Sequence, residues 1–219
     1  MKALTSATLP ERLRAETRTL HAATERSGAM AALLGGRLPR AGYTALLRNL
    51  HAVYAALEAA LQARRGDAAV AVLQVAPLFR AAALAEDLVT LHGPAWADDL
   101  PLRPATTVYV ARLQALALAA TGAPALVAHA YVRYLGDLHG GQVLQGLVRR
   151  QYGLAGEAGT RFYDFGPTPQ VLLHRQQLRQ ALGALPLAAA EQDVVVAEAL
   201  WAFEQHRRLF EELAATAIA

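Results

Sequence analysis

Arg14, Arg18, His21 and Glu25 follow one another at intervals of four, three and four residues, so a single face of a helix carries all four. A histidine backed one turn later by a carboxylate is the arrangement a metal-bound imidazole favours, because its second ring nitrogen needs a partner to fix tautomer and orientation. Two arginines one and two turns earlier suit an anionic ligand lying along the same helix. A solvated face with ordinary helical ion pairs has the same pattern, and spacing alone leaves both readings open.

A second unusual segment spans 128–145, AHAYVRYLGDLHGGQVLQ. Gly136, Gly140 and Gly141 fall inside a helical window, where each glycine costs about 1 kcal/mol relative to alanine. Gly136 and Gly140 are one turn apart, and their missing side chains leave a bare strip of backbone. A flat ligand lying on that strip, a close helix crossing or a local kink would each offset the cost. Asp137 stands between these glycines, where a carboxylate needs hydrogen-bond partners. Arg133, one turn earlier, and tyrosines from elsewhere are the natural suppliers.

Helices must position these residues. Alanine, the strongest helix former, makes up close to a quarter of the chain. Glycine and proline then divide the chain into segments of helical length at about 10–34, 40–64, 77–92, 104–121, 124–154, 169–184 and 187–215. Pro10, Pro77, Pro104 and Pro124 sit near expected starts, where a missing N–H costs little. No alternation of apolar and polar residues survives as a strand, and no repeat or polar linker divides the chain. We therefore expect one all-α domain over 1–219, with 1–9 a flexible N-terminus.

Composition narrows the chemistry. The 219 residues include no cysteine, which removes disulfides, thiolate metal sites, covalent c-type haem and cysteine nucleophiles. A net charge of +3 is too small to argue for a nucleic-acid partner. Glu11, Glu16 and Pro10 interrupt any apolar leader, and Thr121, Gly122 and Pro124 break the most apolar stretch, so no signal peptide or membrane span is expected and the cytoplasm is the default location. No Glu-x-x-His occurs, which disfavours a di-iron bundle.

At residues 128–144, AHAYVRYLGDLHGGQVL, the chain resembles the distal-helix signature of haem oxygenases, bacterial and biliverdin-producing. Segments 20–30 (LHAATERSGAM), 54–58 (YAALE), 81–96 (AAALAEDLVTLHGPAW) and 201–213, ending LFEEL, are similar to further family segments in the same order. The resemblance implies a multi-helical bundle holding haem b between a proximal helix and a glycine-kinked distal helix. It places His21 as the axial iron ligand, Glu25 as the carboxylate holding that imidazole, and Gly136 and Gly140 as the glycines under the porphyrin. Asp137 falls on the carboxylate that organises a distal water network, with Tyr54 and Arg133 beside it. Arg14, Arg18, Tyr131, Arg175 and Arg179 fall on positions that hold the haem propionates. His139 departs from the pattern, since family members carry a small serine there, and we expect its ring to point away from haem.

The activity so implied is oxidative opening of haem to biliverdin at the α-meso carbon, with CO and ferrous iron released. It consumes O2 and electrons, and because no nucleotide-binding fingerprint is present, a separate reductase or ferredoxin is implied. A non-enzymatic haem carrier is the rival from another class. It would share His21 and the arginines but would have no use for Asp137.

Overall fold

A computed structural model describes residues 7–73 and 75–216. Among them the regular elements are all helical, as expected.

Helix α1 (Leu9–Glu25) opens on a reciprocal cap. The Thr8 N–H donates to Glu11 at 2.8 Å, and Pro10 occupies the first turn, where no helical N–H is needed. Leu9 is already helical and only 5% exposed; residues 1–6 of the N-terminus expected to be flexible lie outside the described residues. The single helix expected over 10–34 is two, because the chain turns at Arg26 and Ser27 into α2 (Gly28–Leu34). Gly28 has φ +40°, and a Cβ there would lie 2.0 Å from the Phe210 carbonyl oxygen. The break follows from tertiary packing, since only a bare backbone lets the chain approach α11 (Ala189–Thr216) so closely.

Helix α3 (Arg40–Ala63) is the central post. Tyr43, Leu46, Leu47, Leu50, Val53, Tyr54 and Leu57 are buried along it at helical spacing, facing α5 (Ala81–Leu91) and α7 (Pro104–Leu118). Helix α11 packs on α1, α2, α7 and on α8 (Ala123–Ala130), closing a single continuous apolar core. Two one-turn helices, α4 (Ala68–Ala71) and α6 (Trp96–Asp99), occupy stretches expected to be loops. The segment expected to start a helix at Pro77 instead begins with a 3₁₀ turn, Ala76–Leu78.

The expected helix over 124–154 is also interrupted. Between α8 and α9 (Gly136–Tyr152) the backbone widens into one π-helical turn, Tyr131–Leu135. Such a turn bends a helix and clusters at functional sites. Here it comes directly before Gly136 and Asp137. Helix α10 (Thr168–Gly183) then packs on both α1 and α9.

Candidate functional site

A cavity of about 340 Å³ separates the His21 face of α1 from the glycine face of α9. Its apolar wall comes from Leu46 and Leu50 of α3, Phe203 and Phe210 of α11, Met30 and Leu34 of α2, and Phe162. A flat, mostly apolar ligand with one polar coordination point suits such a lining.

At Gly136 and Gly140 one of the readings that the sequence left open, a close helix crossing, falls away. A Cβ built on either glycine meets no other atom within 4 Å, so no neighbouring helix crosses there. Both glycines line the cavity, and their bare backbone faces open space. Gly141 differs, because its Cβ would sit 3.5 Å from the Tyr163 carbonyl, and it serves the packing of the 3₁₀ turn Arg161–Tyr163 against α9.

Across the cavity, His21 packs edge-on against Phe203, with ring centroids 5.3 Å apart. Its Nε2 lies 3.6 Å from the Glu25 carboxylate, which is ion-pair range rather than a hydrogen bond. Both side chains are about half exposed, as a site open to an entering ligand requires.

Asp137 sits at the centre of a buried network. Tyr54 donates to its Oδ2, while Arg133 Nη2 donates to its Oδ1 at 3.1 Å. Arg133 also donates to the Tyr54 hydroxyl, from Nε at 3.0 Å and Nη2 at 2.9 Å. Its remaining arm, Nη1, points at His206 Nε2, 3.0 Å away. The other nitrogen of His206 lies 2.8 Å from the Ala202 carbonyl, so Nδ1 carries the hydrogen and Nε2 accepts. Burial, reinforced by Arg133, drives the His206 pKa well below its ordinary value and keeps the ring neutral.

Burial likewise raises the pKa of Asp137 above the ordinary carboxylate range, and Arg133, the Tyr54 bond and Arg80 pull it back only in part. A carboxyl group moved toward neutrality, in a cavity wall, is suited to holding and passing a proton. Burial also pushes the Tyr54 phenol well above its usual value, so it remains a donor.

A further polar layer lies behind this one. Glu198 accepts two bonds from Arg112, at 2.9 and 2.7 Å, and faces His129 Nε2 at 3.0 Å. Burial favours the neutral form of Glu198, yet Arg112 and His129 hold its pKa down at about 2. Nε2–H of His129 therefore donates, and its Nδ1 accepts from the Tyr109 hydroxyl at 2.9 Å. The Tyr109 ring stands edge-on to His206, with centroids 5.1 Å apart.

Of the site residues expected from sequence, His21, Glu25, Arg133, Gly136, Asp137 and Gly140 line one cavity, and Tyr54 is bonded to that wall. Arg14, Arg18, Tyr131, Arg175 and Arg179 are absent from the lining. Arg14 and Arg18 are exposed along α1 before His21, Arg179 is exposed and Arg175 half-buried on α10, and Tyr131 is half-buried in the π turn. His139 is outside the lining too. Sequence reasoning missed His206, Phe203, Phe162 and Tyr163. Only the helix periodicity of α11, which places Phe203, His206 and Phe210 on one face, carried a signal for the first two.

The fold and cavity define a class: a helical bundle with a ligand cleft between a histidine-bearing helix and a helix bared by glycine after a π turn. A family model described as Heme oxygenase matches residues 7–212. Heme oxygenase of Pyropia yezoensis is 36% identical over 206 residues, spanning 94% of this chain and 86% of that protein. Heme oxygenase 2 of Synechocystis sp. is 36% identical over 94% of this chain and 82% of its own length. Among solved structures, heme oxygenase-2 from Synechocystis sp. in complex with heme and NO superposes with a TM-score of 0.91 at 33% identity, covering 96% of this chain and 87% of that one. Heme oxygenase from Leptospira interrogans superposes with a TM-score of 0.88 at 30% identity, over 94% and 100% of the two chains. The chain belongs to the heme oxygenase family of enzymes.

Proposed function

We propose that this protein opens haem b to biliverdin, releasing CO and ferrous iron, with O2 and electrons from a separate reductase or ferredoxin. The observation that carries this reading is the Asp137 network, built into the same wall as the open Gly136–Gly140 strip and facing His21 across the cavity. Bound haem supplies the iron on which oxygen is activated and is itself the substrate. The residues would fit it: the His21 imidazole to hold the iron, bare backbone at Gly136 and Gly140 beside a planar ring, and an apolar wall.

His21 is the iron ligand in this reading, and Glu25 orients its ring. The bare backbone at Gly136 and Gly140 would let a planar ring lie close against α9 with no side chain between them. Tyr54 and Arg133 fix Asp137 from behind, so its remaining hydrogen-bonding capacity faces the cavity. There it orders water and delivers protons from the carboxyl oxygens. His206 holds Arg133 in place without adding a second positive charge. Arg14, Arg18, Arg175 and Arg179, with Tyr131, receive the two propionates and set the in-plane orientation, for which we expect the α-meso product. Charge-assisted bonds of this kind contribute about 1.5–3 kcal/mol each when desolvated and less at an exposed rim.

Among the described residues no helix is long and apolar enough to cross a membrane; the location we propose is the cytoplasm. Incubation with haem and a reductant tests the reading. An oxygenase bleaches the Soret band and yields biliverdin, whereas a carrier leaves the band intact. Asp137→Ala should still bind haem but lose ring-opening. Biliverdin formed by that variant at the wild-type rate would refute the role of Asp137.

A further inference from the structure

His139 lies outside the cavity lining, yet both of its ring nitrogens are engaged. Nδ1 is 2.6 Å from the Leu135 carbonyl oxygen, which can only accept, so Nδ1 carries the hydrogen. Nε2 is left as a lone pair 3.1 Å from Arg179 Nη2, which donates to it. Burial favours the neutral ring; the Leu135 bond opposes this, and the guanidiniums of Arg175 and Arg179 add to it. His139 directly precedes Gly140, which lines the cavity, and Arg179 stands on α10, which packs on both α1 and α9, so the pair lies beside the cleft.

Among the described residues, Arg179 has no carboxylate and no hydrogen-bond partner besides His139. A guanidinium on a flexible stem, held at one N–H by a neutral acceptor, retains its charge and its other donors. It is ordered before any anion arrives, which removes part of the entropic cost of binding one.

We propose that His139 is a positioning residue, anchoring the Arg179 guanidinium at the rim so that it meets a carboxylate of the bound tetrapyrrole. The proposal rests on the haem reading above. A serine at this position is too short to bond the Leu135 carbonyl and Arg179 at once, so the device belongs to this chain's histidine.

Titration of ferric haem into the wild type, His139→Leu, His139→Gln, Arg179→Ala and the His139→Leu/Arg179→Ala double variant tests it. We expect His139→Leu to weaken haem binding by roughly three- to tenfold, the size of one ordinary hydrogen bond. His139→Gln, which keeps an acceptor, should recover most of that loss. The double variant should be no weaker than Arg179→Ala alone, because the histidine acts only through the arginine. In the haem-free protein, nitrogen NMR should show His139 as the Nδ1–H tautomer, with an Nε2 resonance that moves in Arg179→Ala. Losses that add independently, an Nε2–H tautomer, or Arg179→Ala binding haem as tightly as the wild type would each overturn the inference while leaving the haem reading intact. A wild-type protein without haem affinity would overturn both.

Discussion

Arg133 has its guanidinium divided among three partners: a carboxylate, a phenol and an imidazole. Each partner limits what the others can do. His206 must be neutral to accept from Nη1, and it is the partner whose removal leaves a buried donor stranded. We expect His206→Leu to cost about 1–3 kcal/mol in urea unfolding, since an unmatched buried donor loses its full desolvation energy. Tyr54→Phe should act differently, leaving Asp137 bonded to Arg133 alone and shifting the pH dependence of ring-opening more than haem affinity. Rates followed by biliverdin absorbance across pH 5–9, beside haem titrations, separate the two effects. The pairing of His21 with Glu25 and of Arg133 with Asp137 was legible in sequence because helical spacing puts each beside its partner on one element. His206 was not, because its bond to Arg133 joins positions far apart in the chain, which no local pattern encodes.

At the scale of elements, the 3₁₀ turn that presents Phe162 and Tyr163 to the cavity is pinned by α5. Asp87 accepts from the Arg161 and Phe162 N–H groups, at 2.9 and 2.8 Å. Burial pushes its pKa from 3.8 to about 6, against the pull of those two bonds. The folded state therefore binds a proton that the unfolded chain releases between pH 6 and 4. The charged form is the costlier one to bury, so the contribution of Asp87 to stability grows as pH falls through that window, by up to about 3 kcal/mol. Unfolding free energies at pH 4, 5, 6 and 7 should show this slope in the wild type and lose it in Asp87→Asn. The glycine strip gives the opposite kind of test. Because a Cβ at Gly140 meets nothing, Gly140→Ala should stabilise the haem-free protein by about 0.5–1 kcal/mol and weaken haem binding. Calorimetry of the haem-free variant and a haem titration read the two outcomes. The glycines were visible in sequence, but the π turn before them was not, since residues 131–135 differ in no propensity from an ordinary apolar helix.

At the scale of the whole molecule, α11 joins what the sequence separates. It contributes Phe203, His206 and Phe210 to the cavity, accepts the His129 Nε2–H at Glu198, and receives the bare Gly28 backbone at Phe210. Haem bound between α1 and α9 would cross-link both to this helix, and a ligand that binds only the folded state raises stability by mass action. At a hundredfold excess of free haem over Kd the gain is about 2.7 kcal/mol, or roughly 5–10 °C in Tm for a chain of this size. Differential scanning fluorimetry with a non-reducing haem excess should show that shift, and His21→Ala should reduce it. The all-helical architecture could be read from alanine content and breaker spacing. The division of two long helices could not, because close approach to α11 makes the first break and a backbone widening makes the second.

That widening also sets a phase. Each residue of an α-helix advances about 100° around the axis, and a π turn absorbs one residue more than an α turn would. Deleting a single residue from 131–135 would let the turn close into regular helix with the phase of α9 kept, whereas closing it with all five residues retained would rotate α9 by about that angle against α8. Asp137, Gly136 and Gly140 would then swing away from the cavity together, leaving a fully helical and well-packed segment with its reactive face turned out of the cleft. Length is therefore counted against an angle in the turn that joins α8 to α9, and the one residue it absorbs keeps the glycine face on the cavity.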